Sequence, residues 1–163
     1  KLGHVGAFGW IFKGCPHVGG GMTTATLNRD ANTATPRPDP IFTAVWTGMP
    51  DVAGCYLYRS DDGGAKWTQV MPFGGKRASH PVIASKGSRV VVMWDEATDT
   101  ERAIMAMVSA DAGATWGKPM RLSAEGTPAT HPVVVPDPTG VGFLTLWTQL
   151  GDGGRYMLTS RRF

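Results

Sequence analysis

At 163 residues the chain is long enough for one domain, its 42% hydrophobic content is enough for a core, and its 22 glycines and 12 prolines favour short strands and turns over helices. A net charge of +3 with scattered basic residues, and no basic patch interleaved with aromatics, argues against nucleic acid as a partner. No apolar run reaches the length of a membrane span, which argues against a membrane protein.

The chain begins at Lys1 with neither a methionine nor a signal peptide, as a mature, trimmed or partial chain does. Within residues 1–12 the tail GWIF reads as one short strand. GCPHVGGG follows, carrying Cys15, Pro16 and His17. Residues 22–35 lose strong periodicity, and residues 28–40 have loop composition. IFTAVW (41–46) is an apolar run suited to a buried strand, TGMPDVAG a turn, and CYLYRS (55–60) the next strand. Residues 67–73 form the strand after that. The pattern restarts with HPVIAS (80–85) and RVVVMW (89–94), then a polar turn, DEATDTER (95–102). Strands are expected over 103–109 and 116–122. A third start gives strands over 131–135, 141–147 and 156–160. Cys15 and Cys55 match no metal-ligand spacing; a disulfide, suited to an exported protein, and two buried thiols are equally consistent.

Aligned, these segments make a unit of four strands, A to D. His17, His80 and His131 open strand A; Trp46, Trp94 and Trp147 close strand B; Ser60, Ser109 and Ser160 close strand C. The Trp-to-Ser spacings are 14, 15 and 13, and the His-to-Trp spacings 29, 14 and 16, the first lengthened by the loop of residues 28–40. Between strands C and D the chain twice writes S-x-D-x-G-x-x-W. The first copy is Ser60, Asp62, Gly64 and Trp67; the second is Ser109, Asp111, Gly113 and Trp116, with Thr115 before the Trp. Each position has a folding role. The Asp accepts backbone N–H groups in a tight turn. The Gly supplies a φ that a side chain forbids. The Trp pins the turn to the body of the unit. Four short antiparallel strands per unit of roughly 50 residues is the construction of a propeller blade.

The two turns resemble the Asp-box of sialidases and other BNR-repeat β-propellers, and GWIFKGCPHVGG resembles a segment of bacterial exported sialidase-like proteins. The resemblance implies an all-β fold, a β-propeller of four-stranded antiparallel blades, with three blades' worth in this chain as part of a six-bladed ring. The expected layout is strand D of a preceding blade in 1–12, a blade in 13–75, a blade in 76–124 and an incomplete last blade in 125–163. The ring is completed either by missing N-terminal blades or by a second copy of the chain. An exported location is expected from the same resemblance.

Strand direction puts the Asp-boxes on one face and the D–A and B–C connections on the other. In the family the active or binding site lies on that second face, around the central channel. The candidates there are His17, His80 and His131, with Arg77, Asp51, Asp95, Glu96, Asp99, Glu101, Arg102, Gln149, Asp152, Arg155 and Tyr156. Each has a structural alternative. The His-Pro pairs set the start of strand A, because a residue before proline is pushed to extended geometry. The three Trp form blade-to-blade core, and the carboxylates of DEATDTER form a solvated turn. Three histidines are also a ligand set for zinc or copper. However, equivalent positions on successive blades are expected to lie too far apart to share an ion, so no cofactor is assigned. A working sialidase of the family uses three arginines, a Tyr–Glu nucleophile, an Asp acid/base and an Arg-Ile-Pro motif. That motif does not occur here, and only Arg155 with Tyr156 and Glu101 with Arg102 are comparable sets. The leading expectation is a non-catalytic exported module that binds a ligand, such as a glycan, on the D–A/B–C face. The alternatives are part of a sialidase-like glycoside hydrolase and a metal-binding propeller using the strand-A histidines.

Overall fold

A computed structural model describes residues 4–9, 20–27 and 37–163. These form three antiparallel sheets, each a meander in chain order. The first holds β1 (Gly21–Thr24), β2 (Ile41–Thr47), β3 (Gly54–Ser60) and β4 (Thr68–Phe73). The second holds β5 (Ala78–Lys86), β6 (Arg89–Ala97), β7 (Arg102–Ser109) and β8 (Met120–Arg121). The third holds β9 (Ala129–Pro136), β10 (Phe143–Leu150) and β11 (Tyr156–Arg162). No α-helix occurs among the described residues, and no helix is long and apolar enough to cross a membrane. Residues 10–12 of the GWIF segment, Cys15 and His17 lie outside the described residues. Residues 4–9 carry no strand, and Phe8 packs on Tyr56 at 5.0 Å between ring centroids.

The sheets stack face to face, and β6 explains how. Side chains along a strand alternate between its two faces. Val90, Val92 and Trp94 therefore pack against Phe42, Ala44 and Leu57 of the first sheet. Val91 and Met93 pack against Val134, Phe143 and Trp147 of the third. A strand buried on both faces needs a continuous apolar run, which RVVVMW supplies. In β9 only one face is covered. Val134 is buried, whereas Val133 and Val135 are 51% and 46% exposed. Trp94 and Trp147 are core residues of the two inter-sheet clusters, and Trp46 packs against the cluster that holds Trp94. Cys55 is a buried free thiol whose pKa is pushed up by burial and then by Asp95 and Glu96.

Both S-x-D-x-G-x-x-W turns, the two boxes, are closed by local hydrogen bonds. Ser60 Oγ donates to Asp62 Oδ1 at 2.8 Å and accepts the Gly64 amide at 2.8 Å, and Asp62 Oδ1 accepts the Lys66 amide at 2.9 Å. Ser109, Asp111, Gly113 and Thr115 repeat the pattern at 2.7 to 2.8 Å. Trp67 Nε1 donates to Gly64 O at 3.1 Å. Trp116 instead lies edge-on to Phe42 of the first sheet, 6.4 Å between centroids, with its Nε1 buried and unpartnered among the described residues. The second box is thus a joint between sheets as well as a turn.

Thr115 adds a hydroxyl donor, Oγ1 to Asp111 Oδ2 at 2.5 Å. The Thr115 hydroxyl and amide, with Ser109, lower the Asp111 pKa to about 2 from 3.8. A depressed folded value means the box's contribution to stability is complete above the unfolded value and is lost as the pH falls through about 2. Carbon-13 NMR of the Asp111 carboxyl is expected to titrate near 2, and Thr115→Ala to raise the midpoint toward 3.8. A wild-type midpoint at the ordinary value would contradict the turn's geometry.

Several sequence expectations are corrected. The first sheet opens with Gly21–Thr24, which runs from the end of GCPHVGGG into the stretch read as aperiodic, and pairs Gly21 with Ala44. The strand after the second box shrinks to Met120–Arg121, because Pro119 lacks an amide donor and Gly117 has no side chain to pack. Strand β10 starts at Phe143 rather than Val141, which is 82% exposed. Half of DEATDTER is strand: β6 runs through Ala97 and β7 starts at Arg102. His80 and His131 lie inside β5 and β9 instead of opening them.

Candidate functional site

The first strands of neighbouring sheets lie against one another, with Thr23 Oγ1 and Ser85 Oγ 2.7 Å apart, so β1, β5 and β9 are the inner strands. Near the start of β5 and of β9 the chain writes a hydroxyl residue, His and Pro: Ser79-His80-Pro81 and Thr130-His131-Pro132. Ser79 pairs with Asp95 and Val82 with Met93, so His80 and Pro81 together oppose Trp94. Thr130 pairs with Thr148 and Val133 with Leu146, so His131 and Pro132 oppose Trp147. Each His-Pro is a β-bulge, which suits a proline that has no amide to give the ladder.

The bulges place both histidines at positive φ, 49° for His80 and 55° for His131. This corrects the extended geometry expected before proline. Left-handed backbone is costly for a residue with a Cβ and persists only where its surroundings over-determine it. Asp95 is what holds these two. Period-2 alternation points Asp95 to the same side as Val91 and Met93, toward the third sheet. Its Oδ2 accepts from His80 Nδ1 at 2.7 Å, Thr130 Oγ1 at 2.5 Å and the His131 amide at 3.0 Å. Its Oδ1 accepts from Ser79 Oγ at 2.7 Å and Arg102 Nη1 at 2.5 Å. One carboxylate, wholly buried, therefore ties β5, β6 and β7 of the second sheet to β9 of the third. Burial alone would raise its pKa; the hydrogen bonds from His80, Thr130, Ser79 and the His131 amide outweigh that and hold it below the usual carboxylate range. The two imidazoles come to 4.0 Å between centroids at 37°, with His131 exposed and the His80 side chain 23% exposed. The expectation that strand-A histidines stand too far apart to share a ligand is thus corrected for this pair, because adjacent inner strands converge. His17 lies outside the described residues.

The other candidates are placed as follows. Glu96 faces the first sheet, where Oε1 accepts the Gly75 amide at 2.6 Å and Oε2 the Trp94 indole at 2.9 Å. It braces the connection between β4 and β5 and presents no uncommitted oxygen. Asp95 has no accessible surface, so it acts on a ligand only through the groups it orients. Glu101 pairs with Arg121 at 2.8 Å, and Asp99 with Arg77 at 2.7 Å on the surface. Arg155 and Tyr156 stand at the start of β11, two strands out from His131, and Tyr156 is 70% exposed. They do not join the cluster. Sequence reasoning missed Ser79 and Thr130; the signal was the hydroxyl residue preceding His-Pro in both repeats.

No protein-family model matches the chain, and no match was found among curated proteins. Solved structures do resemble it. An α-L-arabinanase of Penicillium chrysogenum, solved with arabinobiose, superposes with a TM-score of 0.59 at 16% identity, over 76% of this chain and 41% of that one. An α-L-arabinofuranosidase of Fusarium graminearum, solved with an iminosugar inhibitor, superposes with a TM-score of 0.57 at 15% identity, over 86% of this chain and 44% of that one. The chain thus spans less than half the length of either neighbour. At these identities the likeness carries the fold, which is that of β-propeller proteins.

Proposed function

We propose that the chain is part of a glycoside-hydrolase propeller, and that the end bearing the β5 and β9 bulges lines its carbohydrate site. The observation that carries this reading is the pair of imidazoles fixed by buried Asp95 at the inner ends of two adjacent sheets. The proteins of similar fold act on arabinose glycosides by their names, which favours a hydrolase over a non-catalytic ligand-binding module. Imidazole groups held in one orientation suit sugar hydroxyls, since a site built to hydrogen-bond a substrate hydroxyl rejects analogues that lack it.

Glycoside hydrolysis ordinarily needs two carboxyl groups facing the scissile bond. Asp95 and Glu96 are engaged through both oxygens and Glu101 is paired with Arg121 through Oε1, so in this reading this part of the ring supplies recognition and the reacting carboxyls come from the rest of it. The test is hydrolysis of linear arabino-oligosaccharides, an aryl α-L-arabinofuranoside and a fluorogenic sialoside by the full-length protein. Cleavage of one class is expected. His80→Asn and His131→Asn are expected to lower kcat/KM roughly tenfold, mainly through KM. Unchanged kinetics in both variants would remove the site from the reading. Retention on immobilised glycans without cleavage would return the chain to the binding-module alternative.

A further inference from the structure

We propose that His80 and His131 form a binding site for a nitrogen-preferring divalent transition-metal ion, copper(II) or zinc(II). His80, Asp95 and His131 each offer one ligand atom within 4.8 Å of those of the other two, and the three residues come from two different sheets. The five hydrogen bonds to Asp95 decide its part. Ser79, Arg102, Thr130 and the His131 amide are all donors to it, and a carboxylate is acceptor-only. His80 Nδ1 therefore donates in its 2.7 Å contact with Oδ2, which makes Nε2 its ligand atom. A carboxylate that fixes the tautomer of one imidazole while leaving the other nitrogen as a base is the arrangement that surrounds metal-bound histidines.

Asp95 is committed to five donors, so the protein ligands are the two imidazoles. The exposure of His131 leaves the remaining positions to water or to a bound molecule. An imidazole ligand pair with no thiolate selects copper or zinc over magnesium or calcium. The strained backbone at both positions has the same sense. Each bulge turns a side chain that would otherwise continue the strand's alternation, and the two rings end 4.0 Å apart. This inference does not depend on the glycan reading, because metal binding is read without a sugar.

The experiment is titration of the full chain with copper(II) followed by electron paramagnetic resonance, and with zinc(II) followed by calorimetry. One ion per chain is expected, with nitrogen superhyperfine structure from two imidazoles. His80→Asn and His131→Asn remove the ring while keeping a residue that tolerates left-handed backbone. Each is expected to weaken binding at least tenfold, as is Asp95→Asn through the loss of the orienting acceptor, with His4→Asn as the neutral control. Near-UV circular dichroism checks that the variants fold. Should they not, zinc-induced shifts of the imidazole nitrogens in the unaltered chain give the answer directly. Shifts at His80 and His131 support the site. Shifts confined to other histidines, binding that survives both variants, or no stoichiometric binding overturn it.

Discussion

Asp95→Ala is expected to lower the stability of the chain by about 3–5 kcal/mol, the cost of breaking a buried ion pair from one side. The size follows from what would be left behind. Arg102 would keep its charge without its 2.5 Å partner. The hydroxyls of Ser79 and Thr130 and the His131 amide would lose their acceptor in a place that Asp95 fills completely. An orphaned buried donor costs more than a hydrogen bond is worth when made. Asp95→Asn keeps the volume and one acceptor oxygen, so its penalty should be clearly smaller. Urea unfolding of the three proteins would measure both. A loss below about 1 kcal/mol for the Ala variant would reduce the cluster to a surface ion pair.

Gly113→Ala is expected to cost about 2–5 kcal/mol, from left-handed strain together with overpacking. Gly113 has φ +79°, and a Cβ there would meet Phe42 Cζ at 2.3 Å and Cε1 at 2.7 Å. Phe42 is fully buried in the first sheet and cannot retreat. The equivalent glycine of the first box provides the comparison. Gly64 has φ +89°, but its nearest atom to a new Cβ is Trp67 Cζ2 at an ordinary 3.7 Å. Gly64→Ala should therefore cost the strain alone, about 1–2 kcal/mol. The difference between the two variants measures the contact between the second box and the first sheet. Equal losses in thermal or urea unfolding would show that no such contact limits packing there.

The propeller meander was legible in the sequence because its signals are local and repeated. Ser60 and Ser109 mark where strand C turns over, and the Trp-to-Ser spacing holds register without any long-range information. The candidate site was legible only in part. His80 and His131 stood out as repeated His-Pro pairs, but proline argued for extended backbone, and the bulge that reverses this depends on a carboxylate fifteen residues away from the first histidine. Asp95 itself was hidden in DEATDTER, whose composition is that of a solvated turn. Only the alternation of β6 shows that its side chain points into a joint. Arg155 and Tyr156, adjacent in sequence and chemically suggestive, are separated from the cluster by the width of β10. Sequence adjacency says nothing about distance across a sheet.

The double burial of β6 also dictates how the assembly comes apart. Among the described residues the first and third sheets each pack on the second, so stability is a sum of sheet contributions and of these two interfaces. The middle sheet has both, and alternate residues of a single strand serve them. Because different residues hold the two joints, loss of one and loss of the other are separate local openings. Departure of the third sheet severs Asp95 from Thr130 and His131 while leaving the first interface whole. A molecule held between His80 and His131 would therefore protect the third sheet selectively, by mass action on that one opening step, and the first sheet would not register its presence.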